Sequence, residues 1–183
     1  MSAEHVKVTV GVCGGIAAYK SVELVRLLQD AGTGSDENES SIEHIHEAQT
    51  TSLLIVAPAT ADMLAKFAHG LADDFLSTMF LATTAPVMVA PAMNVRMWEH
   101  PATRANVETL RARGVTVIEP GSGYLACGMV GGGRLAEPAA IVAAVGGRWP
   151  AVLRGTTSLW RRVAMGRSRP RVPLQRRTLP GRR

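Results

Sequence analysis

"VKVTVGVCGGIAAYKSVELVRLLQDAG", residues 6–32, decides the fold. Val6–Val12 is short, apolar and rich in β-branched residues, which reads as a buried strand. The turn Gly11-Val12-Cys13-Gly14-Gly15-Ile16 follows. Val22, Val25 and Leu28 then recur at helical spacing, and Gly32 supplies a stop. Strand, glycine turn and helix make the opening unit of a parallel α/β sheet.

The rest of the chain repeats that alternation. Ser52–Ala57 reads as a buried strand ended by Pro58, and Ala61 to about Gly70 as a helix. A second helix runs from about Asp74 to about Ala82. Pro86–Ala90 is a further strand, Pro101–Arg113 a helix with proline in its first turn, and Val115–Ile118 another strand. A glycine-rich loop then leads to a short helix from about Glu137 to Val145. Strands and helices at this spacing predict helices on both faces of the sheet, with ligands at the carboxyl ends of the strands.

Composition limits the functional classes. The chain has 183 residues, 46% hydrophobic and 19% charged, as an ordinary globular protein does. MSAEHVKVTV lacks the basic and apolar regions of a secretory signal, and no apolar run is long enough to span a bilayer. Two distant cysteines, Cys13 and Cys127, offer neither a disulfide framework nor a zinc set, so a cytoplasmic location is expected. Residues 1–145 carry 9 Lys and Arg against 15 acids, a net −6; residues 146–183 carry 11 Arg and no acid. That arginine-only skew fits a disordered tail, or a GC-rich coding sequence read out of frame. Binding of nucleic acid through phosphates is the rival reading of the tail.

Four stretches carry chemistry. The glycine turn suits one phosphate at a helix N-terminus, though a plain tight turn would look the same. It matches neither the dinucleotide fingerprint nor the nucleoside triphosphate loop. Ala57-Pro58-Ala59-Thr60 leaves its strand with small residues that let a flat ring approach, while Thr60 also suits a helix cap. His44 and His46 could place a base near neutral pH, or lie in an exposed linker. "GSGYLACGMVGGGR", residues 121–134, has six glycines and one thiol, Cys127, and reads as a mobile loop able to close over a ligand.

With "PAMNVRMWEHPAT" (residues 91–103) and "HIHEAQTTSLLIVAPATADMLAKFAHGLADDFLSTM" (residues 44–79) added, the sequence resembles the flavin-dependent cysteine decarboxylase family over residues 5–145. Within it the likeness is to the branch acting on 4'-phosphopantothenoylcysteine in coenzyme A biosynthesis. The resemblance implies a flavodoxin-like (Rossmann-like) α/β fold and FMN as cofactor. It implies decarboxylation through a thioaldehyde and an enethiolate, and a homo-oligomer, trimer or dodecamer.

Roles follow by position. His44, seventeen residues from Thr60 counted inclusively, is implied as the base. Asn94 is implied to hold the substrate carboxylate, with Met93, Met97 and Trp98 keeping water away. Cys127 is implied as the proton donor. Ala126, Met97 and Arg134 are implied at the substrate, and Gly14, Gly15, Ile16, Ala17, Pro58, Ala59 and Thr60 at FMN. No metal is expected, and no membrane.

Two departures stand out. After Gly32 the chain passes through "TGSDENESSIE", residues 33–43, where the family has a second strand with phosphate contacts. The expectation is a domain over 1–145, shortened at about 33–43 and lacking that strand. The partner synthetase domain is also absent, and the Arg-rich segment 146–183 stands in its place. The alternatives are a flavin-binding or regulatory member without turnover, or a decarboxylase of a peptide C-terminal cysteine.

Overall fold

The computed structural model describes residues 7–31, 33–35, 43–124, 130–149 and 157–161. Side chains of residues 33–35, 43, 44, 124, 130 and 157–161 are not among those described. The strands are β1 Val8–Gly11, β2 Thr33–Ser35, β3 Leu53–Ala59, β4 Val87–Pro91, β5 Thr116–Val117, β6 Gly121–Tyr124, β7 Val130–Arg134 and β8 Thr157–Arg161. The helices are α1 Lys20–Asp30, α2 Glu43–Thr50, α3 Ala61–His69, α4 Phe75–Ala82, α5 Val95–Glu99, α6 Pro101–Ala112 and α7 Pro138–Arg148, with a 3-10 turn at Ile16–Tyr19 before α1.

Six strands form one parallel sheet in the order β2-β8-β1-β3-β4-β5. Alternate residues of the central strands enter two separate cores. Val8, Val10, Leu53, Ile55 and Met88 pack with Leu24 and Leu28 of α1 and Ile141 and Val145 of α7. Leu54, Val56, Val87 and Val89 pack on the other face with Leu64, Phe67, Met79 and Leu110 from α3, α4 and α6. Burial on both faces is why these strands read as near-continuous apolar runs.

Helix starts are written in single residues. The Thr60 hydroxyl accepts the Met63 N–H, and the Asp74 carboxylate accepts the Ser77 N–H within a capping box. Gly11 is fixed by packing: a Cβ there would fall 2.6 Å from Leu76 Cδ1 of α4.

Four expectations need correction. Val22 is 57% exposed, and Leu24 takes its place in the core with Val25 and Leu28. The stretch after Gly32, expected to hold no strand, contains β2 at Thr33–Ser35. The second-strand position beside β1 is not empty: β8 fills it, with Val8 opposite Leu159 and Val10 opposite Arg161. It comes from the tail expected to lack regular structure, because an unpaired β1 edge can accept any extended segment through backbone bonds. Lastly, the glycine-rich loop forms an antiparallel hairpin of β6 and β7.

Candidate functional site

The carboxyl edge of the sheet is laced together by short contacts between consecutive loops. The glycine turn leaves β1 with Gly14 at φ 101° and Gly15 at φ 94°, a region L side chains avoid. A Cβ at either would meet nothing within 4 Å, so the turn opens onto space and needs glycine for its backbone alone. Ile16, just beyond, is 80% exposed, and Ala17 packs at the edge of the first core.

Cys13 ties this turn to the end of β3. Its thiol donates to the Pro58 carbonyl at 2.9 Å and accepts the Thr60 N–H at 3.2 Å. Burial pushes the thiol's pKa up, against the lowering contact with Thr60, so it stays protonated and able to donate. Sequence reading passed over this residue, since a lone cysteine in a glycine turn gives no local sign of a partner 45 residues away.

The next links run to β4 and the hairpin. The Ala92 N–H donates to the Ala59 carbonyl at 3.0 Å, and the Met93 N–H to the Gly133 carbonyl at 2.8 Å. Asn94 caps α5, its Oδ1 accepting the Arg96 N–H at 2.9 Å. The cap uses the oxygen end of the amide; recognition of a carboxylate uses the nitrogen end. Trp98 does not line the site: it is 3% exposed, part of the second core, with the Arg104 guanidinium 4.4 Å from its ring centre. Met97, by contrast, is 48% exposed.

Three consecutive glycines of β7 lie directly on this segment. A Cβ on Gly131 would fall 2.7 Å from Val95 Cγ2, and one on Gly132 3.4 Å from Trp98 Cδ1. One on Gly133 would fall 2.4 Å from the Met93 carbonyl oxygen. The glycines therefore serve close packing, where the sequence suggested mobility.

At the base of the hairpin, Glu137 joins two cations. Lys20 Nζ lies 2.9 Å from both of its carboxylate oxygens, and Arg134 Nη2 3.1 Å from one. The Lys20 hydrogen bond holds the Glu137 carboxyl below its usual range. Near α4, Lys66 lies 2.8 Å from Asp73 and from Asp74, which raises the lysine pKa.

The structure thus brings Gly14, Gly15, Ile16, Ala17, Pro58, Ala59, Thr60, Asn94, Met97 and Arg134 to one edge. His44 lies in the first turn of α2, and its side chain is not among those described; His46 is exposed. α2 runs into β3, so its carboxyl end sits at the amino edge of the sheet and His44 toward the opposite one. Ala126 and Cys127 lie outside the described residues. Among the described residues no group of His, Cys, Asp or Glu is arranged to hold a metal, and no helix is long and apolar enough to cross a membrane.

A sequence profile of the Flavoprotein family matches residues 29–149. The chain is 44% identical over 162 residues to the coenzyme A biosynthesis bifunctional protein CoaBC of Bacillus subtilis strain 168, covering 72% of this chain and 40% of that one. It is 40% identical over 173 residues to CoaBC of Escherichia coli K12, covering 78% and 43%. The chain therefore spans about two fifths of the relatives it matches. In the first alignment, 72% of 183 residues is roughly 132 against 162, so about 30 aligned positions have no counterpart here.

Among solved structures, a PPC decarboxylase mutant complexed with pantothenoylaminoethenethiol superposes with TM-score 0.71 at 27% identity, over 80% of this chain and 99% of that one. The FMN binding protein AtHal3 superposes with TM-score 0.67 at 28% identity, over 79% and 97%.

Proposed function

The chain belongs to the Flavoprotein family, and on that premise we propose that it binds FMN and decarboxylates 4'-phosphopantothenoylcysteine to 4'-phosphopantetheine. One observation carries this reading: the glycine turn, the Pro58–Thr60 loop, Asn94 and the hairpin are bonded into one continuous edge.

The edge fits the cofactor. Gly14 and Gly15 present bare backbone to open space, which suits a phosphate approaching a turn followed by helix. The thiol beside them is neutral, so it adds no charge against that phosphate. When bound, FMN supplies reversible two-electron oxidation of the substrate's cysteine.

The chain's own residues supply the rest. His44 accepts the proton of the substrate thiol. The Asn94 amide donates to the carboxylate and orients it for loss as carbon dioxide. Cys127, between β6 and β7 in the sequence, returns a proton to the carbon skeleton. Arg134 and Met97 flank the substrate, one attracting its anionic groups and the other excluding water. A homo-oligomer in the cytoplasm, binding neither membrane nor nucleic acid, accompanies this reading.

Purified chain should be yellow and release FMN on denaturation. Incubated with phosphopantothenoylcysteine it should release carbon dioxide. His44→Asn should abolish that release while FMN stays bound; undiminished turnover in this variant would remove His44 from the chemistry. One feature favours a second reading, a flavin-binding member without turnover: about 30 positions of the relatives are absent here. Bound flavin with no carbon dioxide release would select it.

A further inference from the structure

A buried charge pair lies at the opposite edge of the sheet from the site. Lys7, just before β1, is 5% exposed, and Glu47, in the second half of α2, is 6% exposed. Lys7 Nζ lies 2.9 Å from Glu47 Oε2, an ion pair by distance that leaves this oxygen without an aligned hydrogen bond. The same ammonium donates to the Thr50 hydroxyl at 2.9 Å. Replacing a buried lysine–glutamate pair by apolar side chains of similar volume is often neutral or stabilising. Stability alone therefore does not account for the pair.

Its location does. The polar contacts described between α2 and the rest of the chain leave from its second half. Glu47 and Thr50 meet Lys7, and the Ala48 carbonyl accepts the Thr83 hydroxyl. Immediately after the helix, the Thr51 and Thr9 hydroxyls lie 2.7 Å apart. His44 stands three residues before Glu47, just under one helical turn nearer the carboxyl edge, about 4.5 Å along the axis. A short helix anchored at one end transmits any tilt there to the other end.

We propose that the Lys7–Glu47 pair positions α2, and through it His44, against the carboxyl edge of the sheet. The proposal rests on His44 acting as the base in the decarboxylation proposed above. Unlike an apolar contact, an ion pair with a threonine beneath it fixes both the height and the rotation of the helix.

The test is the double substitution Lys7→Met with Glu47→Leu in the full FMN-loaded chain. Melting temperature should hold or rise, and KM should change little. Turnover should fall about tenfold, the scale expected of a small misplacement of a reacting group. The His44 ring resonances should move in the NMR spectrum. Wild-type turnover with His44 resonances unmoved would overturn the proposal. Should the wild-type chain release no carbon dioxide, the decarboxylation reading fails instead, and the His44 resonances alone decide the positioning.

Discussion

The two flanks of β1 are built on different principles. Toward β3 and β4, the carboxyl edge is specified atom by atom. A thiol reaches a particular carbonyl, and three glycines let β7 lie on Met93, Val95 and Trp98. On the other side, β8 and β2 join by parallel backbone pairing over three register positions at each junction. Side-chain fit tolerates almost no replacement, whereas backbone pairing tolerates nearly any extended segment. The outer strand can therefore come from a distant part of the chain, while the hairpin side depends on glycine at Gly131 and Gly133.

The sharpest way to break this comparison is at Gly133. Gly133→Ala places a methyl 2.4 Å from the Met93 carbonyl oxygen at a φ of 121°. Clash and strained backbone together should cost about 4 kcal/mol, read from chemical denaturation. The same substitution at Gly147, where a Cβ would meet nothing within 4 Å, should cost nothing and, in a helix, should stabilise slightly.

The outer flank is tested by ending the chain at Pro150. Loss of the β8 pairing should cost about 2–3 kcal/mol, one net backbone bond at a time, and should leave a β1 edge that associates with other chains. Light scattering and denaturant melts read both effects. If the truncated chain melts as the full one does, the outer flank contributes nothing.

The smallest effect is acid sensitivity. Burial raises the Asp74 pKa, but hydrogen bonds from Lys66 and from Ser77 outweigh it and leave the group below its ordinary value. A depressed carboxyl stabilises the fold above its unfolded pKa and loses that contribution as pH falls through the folded one. The loss therefore lies below about pH 3.8 and amounts to about 1 kcal/mol or less. Asp74→Asn keeps the cap and removes the charge, so the two stability curves should converge at acid pH.

Much of the specified flank was legible in advance. Both faces of the inner strands are buried, so Leu53–Ala57 and Val87–Ala90 announce themselves as unbroken apolar runs. Thr60 and Asp74 mark helix starts because their side chains act within three residues. What escaped is what depends on distance along the chain. Cys13 gives no sign of Pro58, and "GGG" reads as slack until the segment pressed against it is known. "TSLWR" has no local pattern that assigns it to β1, because the partner supplies the reason for the strand. Val22 misled because helical spacing identifies a stripe without saying how wide it is.

The register of β8 carries a consequence for how the molecule is made. Val8 pairs with Leu159, 151 residues later, so β1 is synthesised well before the segment that pairs with it. At synthesis rates of about 5–20 residues per second that delay lasts roughly 8–30 seconds. Throughout it, one side of β1 has no native partner yet synthesised, and a nascent chain is open there to whatever extended peptide it meets first.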